Sequence, residues 1–181
     1  TMSEGKFQMR YSSTSTNSAG TGIGAISAWA SSDNTRNNPS FNSLTGDITL
    51  QFGNLNVPAG ATIDGLEITV EGQESNFAAT PEIFLNNGSS NSNGIAPSAA
   101  FNKSDQDVTY GSSTQLWGLS WTPTTANAVV ATIDVSTIAS GVLYWDYVVM
   151  AVYYTAAAAA AGAPIKLTSG LIKITSGKIS L

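Results

Sequence analysis

Leu66, Ile68 and Val70 alternate with Glu67, Thr69 and Glu71, and this period of two restricts the fold more than any other feature of the chain. Successive side chains of a strand point to opposite faces, so the aliphatics line a core and the carboxylates face water. A helix would scatter the same residues around its axis. Ile63 stands three positions before Leu66 and falls outside the period. Ile48, Leu50 and Phe52 repeat the alternation, and Phe7, Met9 and Tyr11 carry a shorter version near the start. Between them, Val57-Pro58-Ala59-Gly60 reads as a turn, because proline presets φ and glycine tolerates a positive one.

Further strands are expected at Glu82 to Leu85 and around Val108 and Tyr110, the latter at a sheet edge. Val129 to Val135 and Val142 to Tyr154 are β-branched and aromatic runs separated by Ser140-Gly141, which predicts a hairpin. Leu116 to Trp121 packs large apolar groups around Gly118 and is closed by Pro123. Seven or more short strands, with no amphipathic helix, predict an all-β fold: an antiparallel β-sandwich with jelly-roll connections. Residues 1–45 are expected to add an N-terminal strand and loops packed on a sandwich spanning 46–155.

Charge narrows the partners. The net charge is −5, and the seven Lys and Arg form no basic stripe, which argues against a nucleic-acid backbone. Cysteine is absent, so disulfides and thiolate metal sites are excluded. No apolar run, Ala156 to Ala161 included, is long enough to span a bilayer, so no membrane partner is expected. The first residues lack the basic-then-apolar pattern of a signal peptide, which fits synthesis in a host cytoplasm.

A different organisation begins after Thr155. Six alanines, Gly162, Ala163 and Pro164 make residues 156–164 a linker, too short and too soon interrupted for a lone helix. Residues 165–181 then repeat every seven positions: IKLTSG, IKITSG and a closing ISL. Ile165, Leu167, Ile172, Ile174, Ile179 and Leu181 fall on one face, with Lys166, Lys173 and Ser180 on the other. Ordering backbone costs about 1–2 kcal/mol per residue. Six aliphatic side chains, at about 1.5–3 kcal/mol each, do not offset that along the whole tail. Such repeats become stable when copies share a core. The tail is therefore expected to oligomerise, three chains forming a small β-prism or β-helix, rather than to fold back as a hairpin.

The chain is poor in catalytic chemistry. It has no histidine, which removes the usual triads and the commonest metal ligand. Gly20-Thr21-Gly22-Ile23-Gly24 lacks the lysine and helix of a phosphate loop. Glu67, Glu71 and Glu74 are candidate glycosidase carboxylates, but on one strand they read as a solvated face. Ser104, Asp105 and Asp107 with the Asn-rich loop 86–93 are candidate calcium ligands, although an Asx-bonded turn accounts for them better. Asp146, inside the most apolar run, reads as structural. Trp117 and Trp121 are candidate glycan contacts, against the commoner fate of strand aromatics as core. No enzyme activity and no cofactor are expected.

VPAGATIDGLEITVEG at 57–72, LWGLSWTP at 116–123 and YWDYVVMAVYYT at 144–155, in that order, resemble a β-sandwich domain of phage and prophage virion proteins. AWASSDNTRNNPSF at 28–41 is similar to the region preceding that domain, so the resemblance covers roughly residues 28–155. It implies a virion structural protein and carries no catalytic residues. The tail lies outside it and is similar to short trimeric tails of some capsid cement proteins and fibres. The leading expectation is a capsid decoration (cement) protein, a homotrimer bound to the major capsid protein or another virion protein. The alternative is a tail or head-fibre module binding host-surface glycans. Light scattering behind size exclusion should give a trimer for the full chain and a monomer for a chain ending at Thr155. Two monomers would refute the assembly role of the tail in the free protein.

Overall fold

The computed structural model describes residues 7–10, 40–42, 47–52, 55–74, 80–134 and 142–158. The described residues make an all-β fold whose strand pairs are all antiparallel. The strands are β1 (Phe7–Arg10), β2 (Ser40–Asn42), β3 (Asp47–Gln51), β4 (Thr62–Glu74), β5 (Glu82–Asn86), β6 (Gln106–Ser112), β7 (Val130–Asp134) and β8 (Val142–Thr155). One short helix, α1 (Pro123–Ala126), precedes β7. The expected tail strands, 165–181, and most of the linker lie outside the described residues.

One sheet runs β1-β8-β4-β6, with β2 also on β8, and the other runs β3-β7-β5. Both contribute to a single buried cluster: Leu66, Ile68, Val70 and Trp145 from the first, Leu50, Ile133, Ile83 and Leu85 from the second. The predicted β7–β8 hairpin does not form. β7 lies between β3 and β5, while β8 lies between β4 and the β1/β2 edge, so residues 135–141 link different sheets.

β4 and β8 form the longest ladder, from Thr62↔Thr155 to Glu74↔Leu143, with two irregularities. The register skips Asp64 on β4 and Asp146 on β8. Each extra residue lets two apolar side chains three apart face the same side: Ile63 with Leu66, and Trp145 with Val148. The break in period at Ile63 is thus a β-bulge, which also bends and twists the ladder. Glu67, Thr69 and Glu71 are half-buried on the outer face. Glu74 shares the inner side with Gly72 and is only 1% exposed, contrary to its expected place on a solvated face.

The edges are closed by short segments. On β5, Ile83 and Ile95 exchange both backbone hydrogen bonds, at 3.0 and 2.9 Å. The Ser92 amide donates to the Leu85 carbonyl, and its hydroxyl accepts from the Leu85 amide. Three residues beyond Ile95, the Ser98 amide donates to Thr109 of β6, whose own amide donates back to the Ser98 hydroxyl. Residues 95–98 therefore stitch the open edge of one sheet to that of the other, which covers both. On the far side β8 pairs with two strands in line: Arg10 lies opposite Val149 and Ser40 opposite Tyr144. Residues 11–39 thus leave and rejoin the edge across a gap of about 15 Å.

Gly111 marks a close approach within the β4–β6 pair. Its φ is +78°, and a Cβ there would lie 2.4 Å from the Leu66 carbonyl oxygen and 2.8 Å from Trp117 Nε1. Gly111→Ala should cost about 2 kcal/mol or more in urea unfolding, from left-handed strain plus displacement of the Trp117 ring. Gly88→Ala is the control, since Gly88 has φ +89° but open space around it and carries only the backbone cost, about 1–2 kcal/mol. Equal losses at the two positions would show that Gly111 is not packed against Trp117.

Candidate functional site

The Leu116–Trp121 run is a loop after β6, and its backbone decides which aromatic goes inward. Trp117 has φ +59° and Gly118 φ +70°. A left-handed tryptophan is strained, and it is held because its ring is 1% exposed and its Nε1 donates to the Leu66 carbonyl at 2.8 Å. With that ring enclosed, Trp117 has no face to offer a sugar. Trp121 is half-buried against the core, with Nε1 donating to the Leu116 carbonyl at 2.9 Å. The two candidate glycan contacts therefore do not form a shared stacking platform. Leu116, turned outward by the same backbone, is 38% exposed and is the exposed large hydrophobic residue among those described.

This loop belongs to the end of the molecule where β4 begins and β8 finishes. Asn127 clasps Val57 there, accepting from its amide at 2.9 Å and donating to its carbonyl at 3.1 Å. Asn87 donates from Nδ2 to the Ser120 carbonyl. Thr122 caps α1 in a reciprocal box with Thr125, and Pro123 occupies the first turn. Ala157, just past β8, packs on the β3–β4 turn, where a Cβ on Gly60 would meet its own Cβ at 3.3 Å. Three loops and the root of the tail thus form one connected surface. Asn127 drew no attention as sequence; the Thr-Pro step at 122–123 was the readable signal of the cap beside it.

A groove of about 480 Å³ opens where residues 94–98 diverge from β6. Gly94 and Gly111 border it, and Ser98, Thr109, Ser112 and Gln115 supply hydroxyl and amide groups. It can exchange hydrogen bonds with a neutral polar group, but its lining brings no titratable side chain to one place.

The other sequence candidates are dispersed. Glu67 accepts from the Tyr153 hydroxyl at 3.3 Å on the outer face of β4. Glu71 Oε2 and Gln73 Oε1 are enclosed there without a hydrogen-bond donor. Glu74 lies on the opposite face of the same strand, so the three glutamates do not converge. Ser104, Asp105 and Asp107 sit near the end where β4 finishes, whereas loop 86–93 follows β5 at the other end, so the calcium grouping separates. Locally the expected Asx turns are present: Asn102 Oδ1 accepts from the Ser104 amide, and Asn87 Oδ1 from the Ser89 and Ser90 amides. Among the described residues no group of three His, Cys, Asp or Glu is placed to hold a metal, and no helix is long and apolar enough to cross a membrane. The side chain of Asp146, the glycine run 20–24 and the oligomerisation residues Ile165, Leu167, Ile172, Ile174, Ile179 and Leu181 lie outside the described residues.

Among the described residues, Tyr110 is the buried titratable group with a clear shift. Its hydroxyl lies in the core without a partner, and burial pushes the phenol well above its ordinary value of 10.0. A raised folded value means that stability is complete below pH 10.0 and falls as pH rises beyond it, because only the unfolded chain releases the proton readily. Tyr110→Phe should flatten that alkaline slope and hold or raise stability at neutral pH by about 1 kcal/mol. An unchanged slope in urea unfolding at several alkaline pH values would count against this assignment. No family model matches the chain, and no curated protein or solved structure matches it either.

Proposed function

We propose that this protein is a structural component of a bacteriophage particle: a capsid decoration protein that seats a jelly-roll sandwich on the shell and joins three copies through its C-terminal repeat. The observation that carries this reading is the strand order. β1-β8-β4-β6 packs over β3-β7-β5, and residues 91–95 add a partner to the free edge of β5. Counted that way, with β1 and β2 sharing one edge of β8, each layer is four strands wide and most connections cross between the layers, the arrangement expected of a double Greek key, which viral capsid and lectin domains use. A packed pair of sheets with a repeat following it at one end suits a particle component, because three modest contacts held in one trimer bind a symmetric site far more tightly than one.

The partners in this reading are two further copies and the major capsid protein or another virion protein, and the location is the virion. The role is structural rather than enzymatic. The glycan-binding fibre reading finds less support, since Trp117 is enclosed and Trp121 is half-buried against the core. Purified particles provide the test. The protein should co-purify with tail-less capsids at a copy number comparable to that of capsid symmetry sites. Recovery with isolated tails and absence from capsids would overturn the decoration role.

A further inference from the structure

We propose that the end of the fold formed by the β3–β4 turn, the β6–β7 loop and the root of the tail is the face on which copies of this chain meet. The inference rests on the self-assembly reading above and names the surface that it uses.

Charge is the first argument. Residues 52–61, 87–91 and 113–129, which connect strands at this end, contain no Asp, Glu, Lys or Arg, and neither does the chain from 156 to 165. Asp64, bonded to the Thr155 hydroxyl at the start of β4, is an acid beside these connections, and the others lie farther along the strands, Glu67, Glu71 and Asp107 on one sheet and Glu82 and Asp134 on the other. Copies of a chain with net charge −5 repel along those faces and meet at least cost where the charge is missing. Interface centres show the same depletion of charged residues.

The second argument is apolar exposure at the same place. Leu116 stands out at 38% exposure, carried by a loop whose neighbour Trp117 is held left-handed. Pro58 and Ala59 are exposed on the adjoining turn, which Asn127 ties to α1. An isolated exposed leucine is ordinary. One that is fixed by a buried tryptophan and set in an uncharged surface presents a constant shape to a partner.

The third argument identifies the occupant as a second copy. β8 finishes at Thr155 on this end, and Ala156 to Ala158 continue exposed beside Gly60. The 23 residues beyond, with their aliphatic repeat, start from this surface. Any association of tails between chains brings these ends together before any other part of the fold.

The absence of cysteine gives a direct test on the full chain. Leu116→Cys and Ala59→Cys report the proposed face, and Ser104→Cys, exposed near the opposite end, is the control. Each variant is sized by light scattering and treated with a short bismaleimide. The expected result is a trimer for all three, with intermolecular cross-links at positions 116 and 59 and none at 104. Leu116→Lys should then raise the concentration of half-dissociation about tenfold, which for a trimer is about a hundredfold in the dissociation constant, or about 2.8 kcal/mol. A trimer that cross-links as well at 104 as at 116 overturns the face and leaves the assembly reading standing. Monomers that cross-link nowhere overturn the assembly reading and the face with it.

Discussion

The β4–β8 ladder is the constraint on which the larger sheet depends. β6 hangs from one side of it, β1 and β2 from the other, and its inner face forms one wall of the core. A long antiparallel pair with strict alternation would coil and carry its apolar stripe steadily around. The single extra residues at Asp64 and Asp146, near opposite ends of the ladder and on opposite strands, reset the alternation instead. Ile63 and Leu66 at one end, and Trp145 and Val148 at the other, then point to the same core. The polar bulge residue also suits its position: the Asp64 carboxylate accepts from the Thr155 hydroxyl at 2.8 Å, across the last rung.

Closure of the second edge follows a different logic. A sheet of three strands has two exposed margins, and β5 would present one of them to solvent or to another chain. Residues 91–98 cover it without becoming a regular strand, using a serine hydroxyl at Ser92 and again at Ser98 where a backbone group would otherwise serve. Because the segment passes from β5 to β6 within four residues, the two sheets are held together there by hydrogen bonds as well as by the buried cluster. The groove beside Gly111 is what remains where that segment pulls away.

Much of the fold was legible because alternation is a local signal. Leu50, Phe52, Leu66, Ile68 and Val70 were assigned to the core from spacing alone, and all are buried. Pairing was not legible in the same way. Ser140-Gly141 resembles a hairpin turn, yet nothing local says whether the next strand joins the same sheet or crosses to the other. Glu74 misled for a related reason: two positions past Gly72 it returns to the inner side, where composition alone would not put a carboxylate. The candidate site was the least readable part. In Leu-Trp-Gly-Leu-Ser-Trp every large residue has a claim on the core; Trp117 takes it, in line with the core reading of these aromatics, and its left-handed backbone, which spacing does not signal, turns Leu116 outward.

The divided edge of β8 has a consequence for what the fold can accommodate. The stretch between Arg10 and Ser40 begins and ends at fixed rungs of one strand, so its length has no bearing on the register of either β1 or β2. Closing a longer loop costs only about 0.6 kcal/mol per doubling. A change in the number of residues between these two rungs would therefore leave both registers as they are.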